Sequence, residues 1–485
     1  MATKLRPEAQ THEPEVDVTE RTVGEVSSPL PLPPRLFSRR VIGPSAVFTA
    51  LAIGSGELLF WPNLSLTYSA GVLWIALAAV AFQYVMDIEI GRYSLATGES
   101  VVVGATRSWG GWGWILLLGA VVPWLWPGWA RAGSQLVSVV YGLPEKPISI
   151  ISLIVCGILL ALPKSVYKLV EWLQSILLVF ILVGVLVLCV LALQSAGSVA
   201  PFWASFFKGE GIGSLLSTMF GARSSNFLAL LSGVVFAGAG GILNLGYGLL
   251  LCEKQFGMGR FARPVVGLRH SLGLEPADDV RPGLDSSAET KSRWRRWMSL
   301  ARREHLLLFV AGNTFTIIFI SLTFFSLLGL QPGVQGMSFL QSAANRFTET
   351  AGSGASFLFV AVGYAIFFTS ELGIIDVTSR LAAGITHTTF KPRRLSASAI
   401  FHIFVWGEIL IGIALTIFDP RQPFWFLVTT GVLNTLVMAI YAVLVLVLNR
   451  RTLPETARPV RVTDLFLGLA AVIYFAFFVL TFLRI

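Results

Sequence analysis

The fold class predicted by this sequence is an all-α polytopic membrane protein: two inverted five-helix halves, each opened by a broken helix, with an eleventh helix appended. Three observations lead to it. The chain of 485 residues is 54% hydrophobic and 13% charged, with a mean hydropathy of +0.73, a balance that a water-soluble protein of this size does not carry. Two long apolar stretches are interrupted by glycine clusters at corresponding places in the two halves. Lys and Arg gather in alternate loops, which orients every span.

Residues 1–34 are polar, Pro-rich and of mixed charge without an early apolar segment, and read as a disordered cytoplasmic tail; residues 35–485 form the transmembrane domain. Arg35, Arg39 and Arg40 hold the start of span one, about 41–69, in the cytoplasm. That span is broken at Gly54-Ser55-Gly56-Glu57, where two glycines weaken the helix and a carboxylate stands at membrane depth. An unwound turn in hydrocarbon leaves backbone groups without partners, so it belongs where it faces protein, a bound ion or a water-filled cavity.

Span two, 72–92, ends in Asp87, Glu89 and Arg92. Span three, about 113–141, is interrupted at Pro123 and Pro127 and carries Arg131; its Trp124, Trp126 and Trp129 fit an interfacial belt or a packed kink. Spans four and five follow at about 147–162 and 168–195, completing repeat one, about 41–195. A loop at 196–225, suited to short interfacial helices, leads to span six within Asn226–Met258. This second broken span is interrupted at Gly238-Ala239-Gly240-Gly241, with Asn244 and Tyr247 just beyond.

Residues 257–304 form a basic cytoplasmic loop rich in Arg, including Arg293, Arg295, Arg296, Arg302 and Arg303; beyond simple solvation, anionic lipid headgroups are a second use for it. Spans seven to ten fall near 305–330, 354–379, 396–417 and 422–448, closing repeat two, about 226–448, and the extra helix spans 463–483. Five spans per half is an odd number, so the halves must have opposite topology.

Charge sets the orientation. With the N-terminus inside, the inner loops hold Arg92, Arg107, Lys164, Lys168, the Arg-rich insertion, Lys391, Arg393, Arg394, Arg450, Arg451, Arg458 and Arg461. The outer loops hold only Lys146, Lys208, Arg223, Arg346 and Arg421. The C-terminus is then outside, and a bacterial cytoplasmic membrane is the default setting. The net charge of +9 comes in short clusters between apolar spans, which is membrane topology rather than a nucleic-acid surface. Cys156, Cys189 and Cys252 lie inside apolar spans without metal-ligand spacing and read as buried small hydrophobes.

Several stretches across 41–483 resemble the Nramp family of divalent-metal transporters, and more closely its divergent Nramp-related branch. They are Gly43-Pro44 opening span one, GSGE at its break, EIGRYSLATGE at Glu89–Glu99, AGAGG at the second break followed by EKQFGMGR, and ELGIIDVTSRL at Glu371–Leu381. The resemblance implies a LeuT-type fold and ion-coupled transport by alternating access. It also exposes a departure. The family's Asp-Pro-Gly-Asn turn aligns with Gly54, Ser55, Gly56 and Glu57, and its Met-Pro-His turn aligns near Ala239, Gly240 and Gly241, so the thioether and imidazole ligands are gone. Without soft ligands, a harder and partly hydrated cation such as Mg²⁺ suits the site better than Mn²⁺ or Fe²⁺, or the ligand is not a metal.

The candidate substrate or ion site is therefore Gly54, Ser55, Gly56, Glu57, Ala239, Gly240, Gly241 and Asn244, with Glu57 the one candidate metal ligand. Glu57 reads as a cation ligand or proton acceptor, or as a carboxylate capping the outer half-helix. The glycines supply carbonyls and close approach, or simply tight helix packing. Asn244 and Tyr247 face the cavity or make interhelical hydrogen bonds.

Asp87 with Glu89, and Asp376 with Arg380, are inner-gate pairs or structural ion pairs. Glu371 and Glu408 are proton-path candidates, or are satisfied by Arg131 or a hydroxyl. His305 and His387 stand at span ends and read as interfacial; His402 lies near Glu408, within reach of a relay.

The function expected is secondary active transport of a divalent cation across a lipid bilayer, coupled to an ion or to protons. A symporter of a small organic solute on the same fold is the alternative. No HExxH, GxSxG or P-loop points to an enzyme, and no cofactor is called for.

Overall fold

The computed structural model describes residues 27–28, 30–34, 42–162, 166–195, 199–220, 225–261, 283–333, 336–392 and 394–483. Most of the N-terminal tail, Arg35, Arg39, Arg40, Lys164, Arg223 and Arg393 lie outside them. Apart from one short parallel pairing of Ser27–Ser28 with Gly283–Leu284, the regular structure described is helical.

Among the described residues eight helices are long and apolar enough to cross a membrane, and the bent pair Ser45–Ala52 and Gly56–Tyr68 makes a ninth. Two further spans are short for evident reasons: span four, Glu145–Ala161, has 17 residues, and span six is split into Ser225–Val235 and Leu243–Glu253. The eleven expected segments are thus all helical. The remaining bounds are Leu73–Thr97 for span two, Gly111–Val121 with Gly128–Tyr141 for span three, Val166–Ser195 for span five, and Ala311–Leu328 for span seven. Spans eight to eleven are Ser353–Phe390, Ala397–Phe418, Pro423–Thr452 and Arg461–Phe482.

Short helices at Ala200–Lys208 and Ile212–Phe220 occupy the loop where they were expected; those at Val101–Ser108 and Ser338–Ala351 had no distinct apolar signature. The end of the basic insertion is helical too. Ser287 caps Ala288–His305 by accepting from the Thr290 N–H at 3.1 Å, and the helix runs on through Leu306–Val310 into span seven. Buried Trp294, Trp297 and Met298 give this helix an anchored face, and the Trp297 indole donates to the Pro31 carbonyl at 2.7 Å.

Burial separates the centre from the rim. In the apolar stretch of span eight 78% of residues are buried, against 22% in span eleven. Spans four, five, nine and eleven turn Ile151, Val183, Leu410 and Val472 outward, as a lipid-facing surface requires. Span one packs at the centre against spans five, six, seven and eight, so its break is enclosed by protein.

Candidate substrate site at the two helix breaks

Span one unwinds after Ala52 and resumes at Gly56 as a wide π-type turn, Gly56–Phe60, before Trp61–Tyr68; the halves are bent by 41°. Glu57 is fully buried, and its Oε2 accepts the Gly54 N–H at 2.7 Å. The bond closes the unwound turn ahead of the outer half-helix, and it uses one oxygen only. Oε1 of Glu57 and the Ser55 hydroxyl have no hydrogen-bond partner among the described residues. The freed Ile53 carbonyl accepts from the Ser370 hydroxyl of span eight at 3.0 Å.

The break in span six runs from Phe236 to Ile242, with Gly240 and Gly241 at φ +74° and +55°, a conformation that side chains with a Cβ rarely adopt. A residue that sequence reasoning passed over holds this turn together. Gln83 of span two donates from Nε2 to the Val235 carbonyl at 2.9 Å and accepts the Gly240 N–H at 3.3 Å, pairing groups that the unwound turn orphans. A lone Gln inside an apolar helix was the available signal. Asn244 donates to the Tyr441 hydroxyl at 2.7 Å, the interhelical bond that was one of its two readings.

The breaks meet. A Cβ on Gly56 would lie 1.8 Å from the Phe236 carbonyl oxygen, one on Gly54 2.6 Å from the Ser370 hydroxyl, and one on Gly241 1.8 Å from Asn434 Oδ1. These glycines are there for close approach. Beside them Trp129 meets Phe236 edge-on at 5.3 Å and stacks on Trp124 at 5.6 Å, and Phe236 stacks on Phe60 at 6.3 Å. Trp124 and Trp129 are thus part of a packed kink at the breaks rather than a belt, while Trp126 is half-buried. The Gln174 amide of span five, buried and without a partner among the described residues, sits against Gly373 of span eight.

The remaining candidates do not join this site. Pro127 interrupts span three, and Glu371 accepts the Ala130 N–H at 3.0 Å, capping the restarted helix. Glu408 accepts from the Thr378 hydroxyl at 2.9 Å. Arg131 serves neither acid: it pairs with Glu145 at 2.9 Å and donates to the Asp419 and Arg421 carbonyls. His402 contacts its own helix, Nδ1 lying 2.7 Å from the Ser398 carbonyl oxygen, while Glu408 turns to Thr378.

Ion pairs cluster at the end of the bundle where spans two, six and eight carry their charged residues. Arg380 binds Asp376 at 2.7 Å and Glu253 at 2.9 Å, tying span six to span eight; Arg92 binds Glu89 at 2.8 Å, and Lys254 binds Glu171 at 2.6 Å. Asp87 and Glu89 separate, since residues two apart lie on opposite sides of a helix. Asp87 Oδ2 lies 3.1 Å from His305 Nε2.

That contact corrects the interfacial reading of His305, which is fully buried and packed on Tyr247 at 4.3 Å and Phe309 at 4.6 Å. The helix of the basic insertion runs unbroken into span seven and carries His305 inward with it.

No His, Cys, Asp or Glu cluster of three or more suited to a metal ion occurs among the described residues. At the breaks, Glu57 Oε1, the Ser55 hydroxyl and Asn244 Oδ1, which have no partner among the described residues, are all oxygens, the ligand type that hard cations take.

No protein-family model and no curated protein matches the chain. Solved structures do. A variant of the Eremococcus coleocola manganese transporter aligns over 94% of this chain and 90% of its own, with a TM-score of 0.63 and 13% identity. Mhp1, a nucleobase-cation-symport-1 family transporter with bromovinylhydantoin bound, aligns over 93% of each chain, with a TM-score of 0.54 and 13% identity. MhsT in complex with L-phenylalanine aligns over 91% of this chain and 99% of its own, with a TM-score of 0.53 and 14% identity. The chain has the LeuT-type fold that these transporters share, with broken spans one and six.

Proposed function

We propose that this protein is a secondary active transporter that carries a divalent cation across a membrane by alternating access, with coupling to a second ion or to protons. The cation lies between the breaks of spans one and six, with Glu57 its carboxylate ligand and Mg²⁺ the best chemical match. The observation that carries this reading is the free Oε1 of a fully buried carboxylate at an unwound turn: an anionic oxygen inside a membrane is costly without a cation or a proton to meet it. The close approach of the two breaks around Gly56 favours a small ligand.

A small organic solute is the second reading, favoured by the Trp124, Trp129 and Phe236 rings against the breaks. The membrane is taken to be the bacterial cytoplasmic one, with the N-terminus inside and the C-terminus outside, on the distribution of Lys and Arg.

Uptake of Mg²⁺, Mn²⁺ and Ca²⁺ into proteoliposomes, with internal pH followed, tests the reading in the wild type and Glu57→Gln. Mg²⁺ flux that the substitution abolishes is expected. No flux of any cation through folded, oriented protein would overturn the cation reading and leave the organic solute.

A further inference from the structure

A second polar group lies inward of the breaks, and the transport site does not use it. Ser45 at the start of span one, Asp87 of span two, and Glu304 with His305 at the entry to span seven are each no more than 3% exposed. They touch in sequence. Asp87 Oδ2 is 3.1 Å from His305 Nε2, His305 Nδ1 is 3.3 Å from the Ser45 hydroxyl, and that hydroxyl donates to Glu304 Oε2. The Ser45 N–H also donates to Glu304 Oε1 at 3.2 Å.

Proton bookkeeping along this chain is restrictive, because each contact holds one hydrogen. If Ser45 donates to Glu304, its oxygen must accept from His305 Nδ1–H; in a neutral imidazole, which full burial favours over the imidazolium, Nε2 then carries a bare lone pair. A lone pair 3.1 Å from a carboxylate oxygen is repulsive unless Asp87 is protonated and donates. The mirror arrangement has protonated Glu304 donating to Ser45, Ser45 donating to Nδ1, and Nε2–H donating to an ionised Asp87. The two arrangements contain the same number of protons and the same neutral imidazole. They interconvert when the Asp87 proton passes to Nε2, the Nδ1 proton to Ser45 Oγ, and the Ser45 proton to Glu304, with no heavy atom displaced.

We propose that Asp87, Ser45, His305 and Glu304 form a proton wire through the inner half of the protein. Its upper end lies one helical turn along span two from Gln83, the residue that holds the break in span six. Its lower end is next to Arg302 and Arg303, which line a crevice of about 490 Å³ with Arg92 and Ser299. The titratable groups facing the wire are Tyr84 of span two and Tyr247 of span six, whose rings lie 5.9 and 4.3 Å from the imidazole, with Tyr441 of span ten and Tyr474 of span eleven on the Asp87 side. Tyr84 donates to the Arg302 carbonyl at 3.3 Å. Phe48 and Phe309 pack on the imidazole at 5.7 and 4.6 Å and shield it from water.

The inference rests on the transport reading for the use made of the proton, and its test separates the two. In proteoliposomes of the full chain, Ser45→Ala cuts the wire while leaving both carboxyls and the breaks in place. It is expected to keep exchange of Mg²⁺ at equal concentrations across the membrane but to lose uptake driven by a pH gradient. Ser45→Thr, which restores the hydroxyl, is expected to recover that uptake. Full pH-driven uptake by Ser45→Ala would overturn the wire.

If the wild type moves none of the tested cations, the transport reading fails and infrared spectroscopy decides. The wild type is expected to show a protonated-carboxyl C=O band at neutral pH that the double substitution Asp87→Asn with Glu304→Gln removes. A spectrum unchanged by that substitution means that both acids are ionised, and it excludes the wire.

Discussion

The two breaks solve one physical problem in opposite ways. The turn in span one is closed from within, its Gly54 N–H bonded to Glu57 three residues on in the same chain segment. The turn in span six contains no acid, and a neutral side chain from another helix, Gln83, closes it. Both closures pair backbone groups that a bilayer would leave bare. The first leaves a carboxyl oxygen unmatched, Oε1 of Glu57, whereas just past the second the unmatched oxygen is the neutral Oδ1 of Asn244. Under the proposed transport the labour divides accordingly: span one brings the acid, and span six a shaped, neutral wall.

The sharpest way to break this comparison is Glu57→Gln. Its amide oxygen still accepts the Gly54 N–H, so the turn should stand and the folded protein should keep its melting temperature while cation uptake falls to the level of empty vesicles. Unaltered uptake would move the charged ligand elsewhere. Next comes Gly56→Ala. A Cβ 1.8 Å from the Phe236 carbonyl cannot be accommodated without parting the breaks, with an expected cost of about 1–3 kcal/mol and severe loss of transport. A melting temperature and uptake equal to wild type would mean that the breaks are not pressed together.

Gln83→Leu probes the other turn. It should leave the Val235 carbonyl and Gly240 N–H unpaired, at roughly 1–3 kcal/mol for each buried group. Thermal unfolding is the readout, and an unshifted midpoint would show that span six does not lean on span two. The smallest effect lies outside the breaks, at the turn between spans nine and ten. There the Arg421 guanidinium, bonded to Asp419, holds that carboxyl below its usual range.

A depressed folded value means that stabilisation is present above the unfolded value near pH 4 and is lost as the pH falls through the folded one. Asp419→Asn should therefore lower the melting temperature slightly at pH 7 and not at all at strongly acidic pH. Exposure keeps the effect small. An equal shift at both pH values would contradict the ion pair.

The legible part of the site follows the same division. Gly54, Gly56, Glu57, Gly240 and Gly241 stood out because a glycine or a carboxylate within an apolar run violates a local rule, and local rules are written in sequence. Gln83, Ser370 and Gln174 violated it too weakly to be noticed. Their importance depends on which neighbouring helix they face. His305 misled because sequence position at the edge of an apolar run suggests an interface; a helix that continues inward from Ala288 carries it into the interior.

What the sequence determined by itself was therefore one-dimensional: eleven helical segments, the two places where they break, and the alternation of basic loops. Hydropathy sets the first, backbone conformational freedom the second and membrane potential with lipid charge the third, and all three act on a residue through its own chemistry and its chain neighbours. Tertiary structure decided the partners. Asp87 and Glu89, two residues apart, went to His305 and Arg92; Arg131 chose Glu145 over Glu371; and the orphaned groups of span six found Gln83 from 157 positions away along the chain. Hydrogen bonds and ion pairs are short-ranged and directional, so which of them form depends on how helices rotate and slide against one another in the packed bundle.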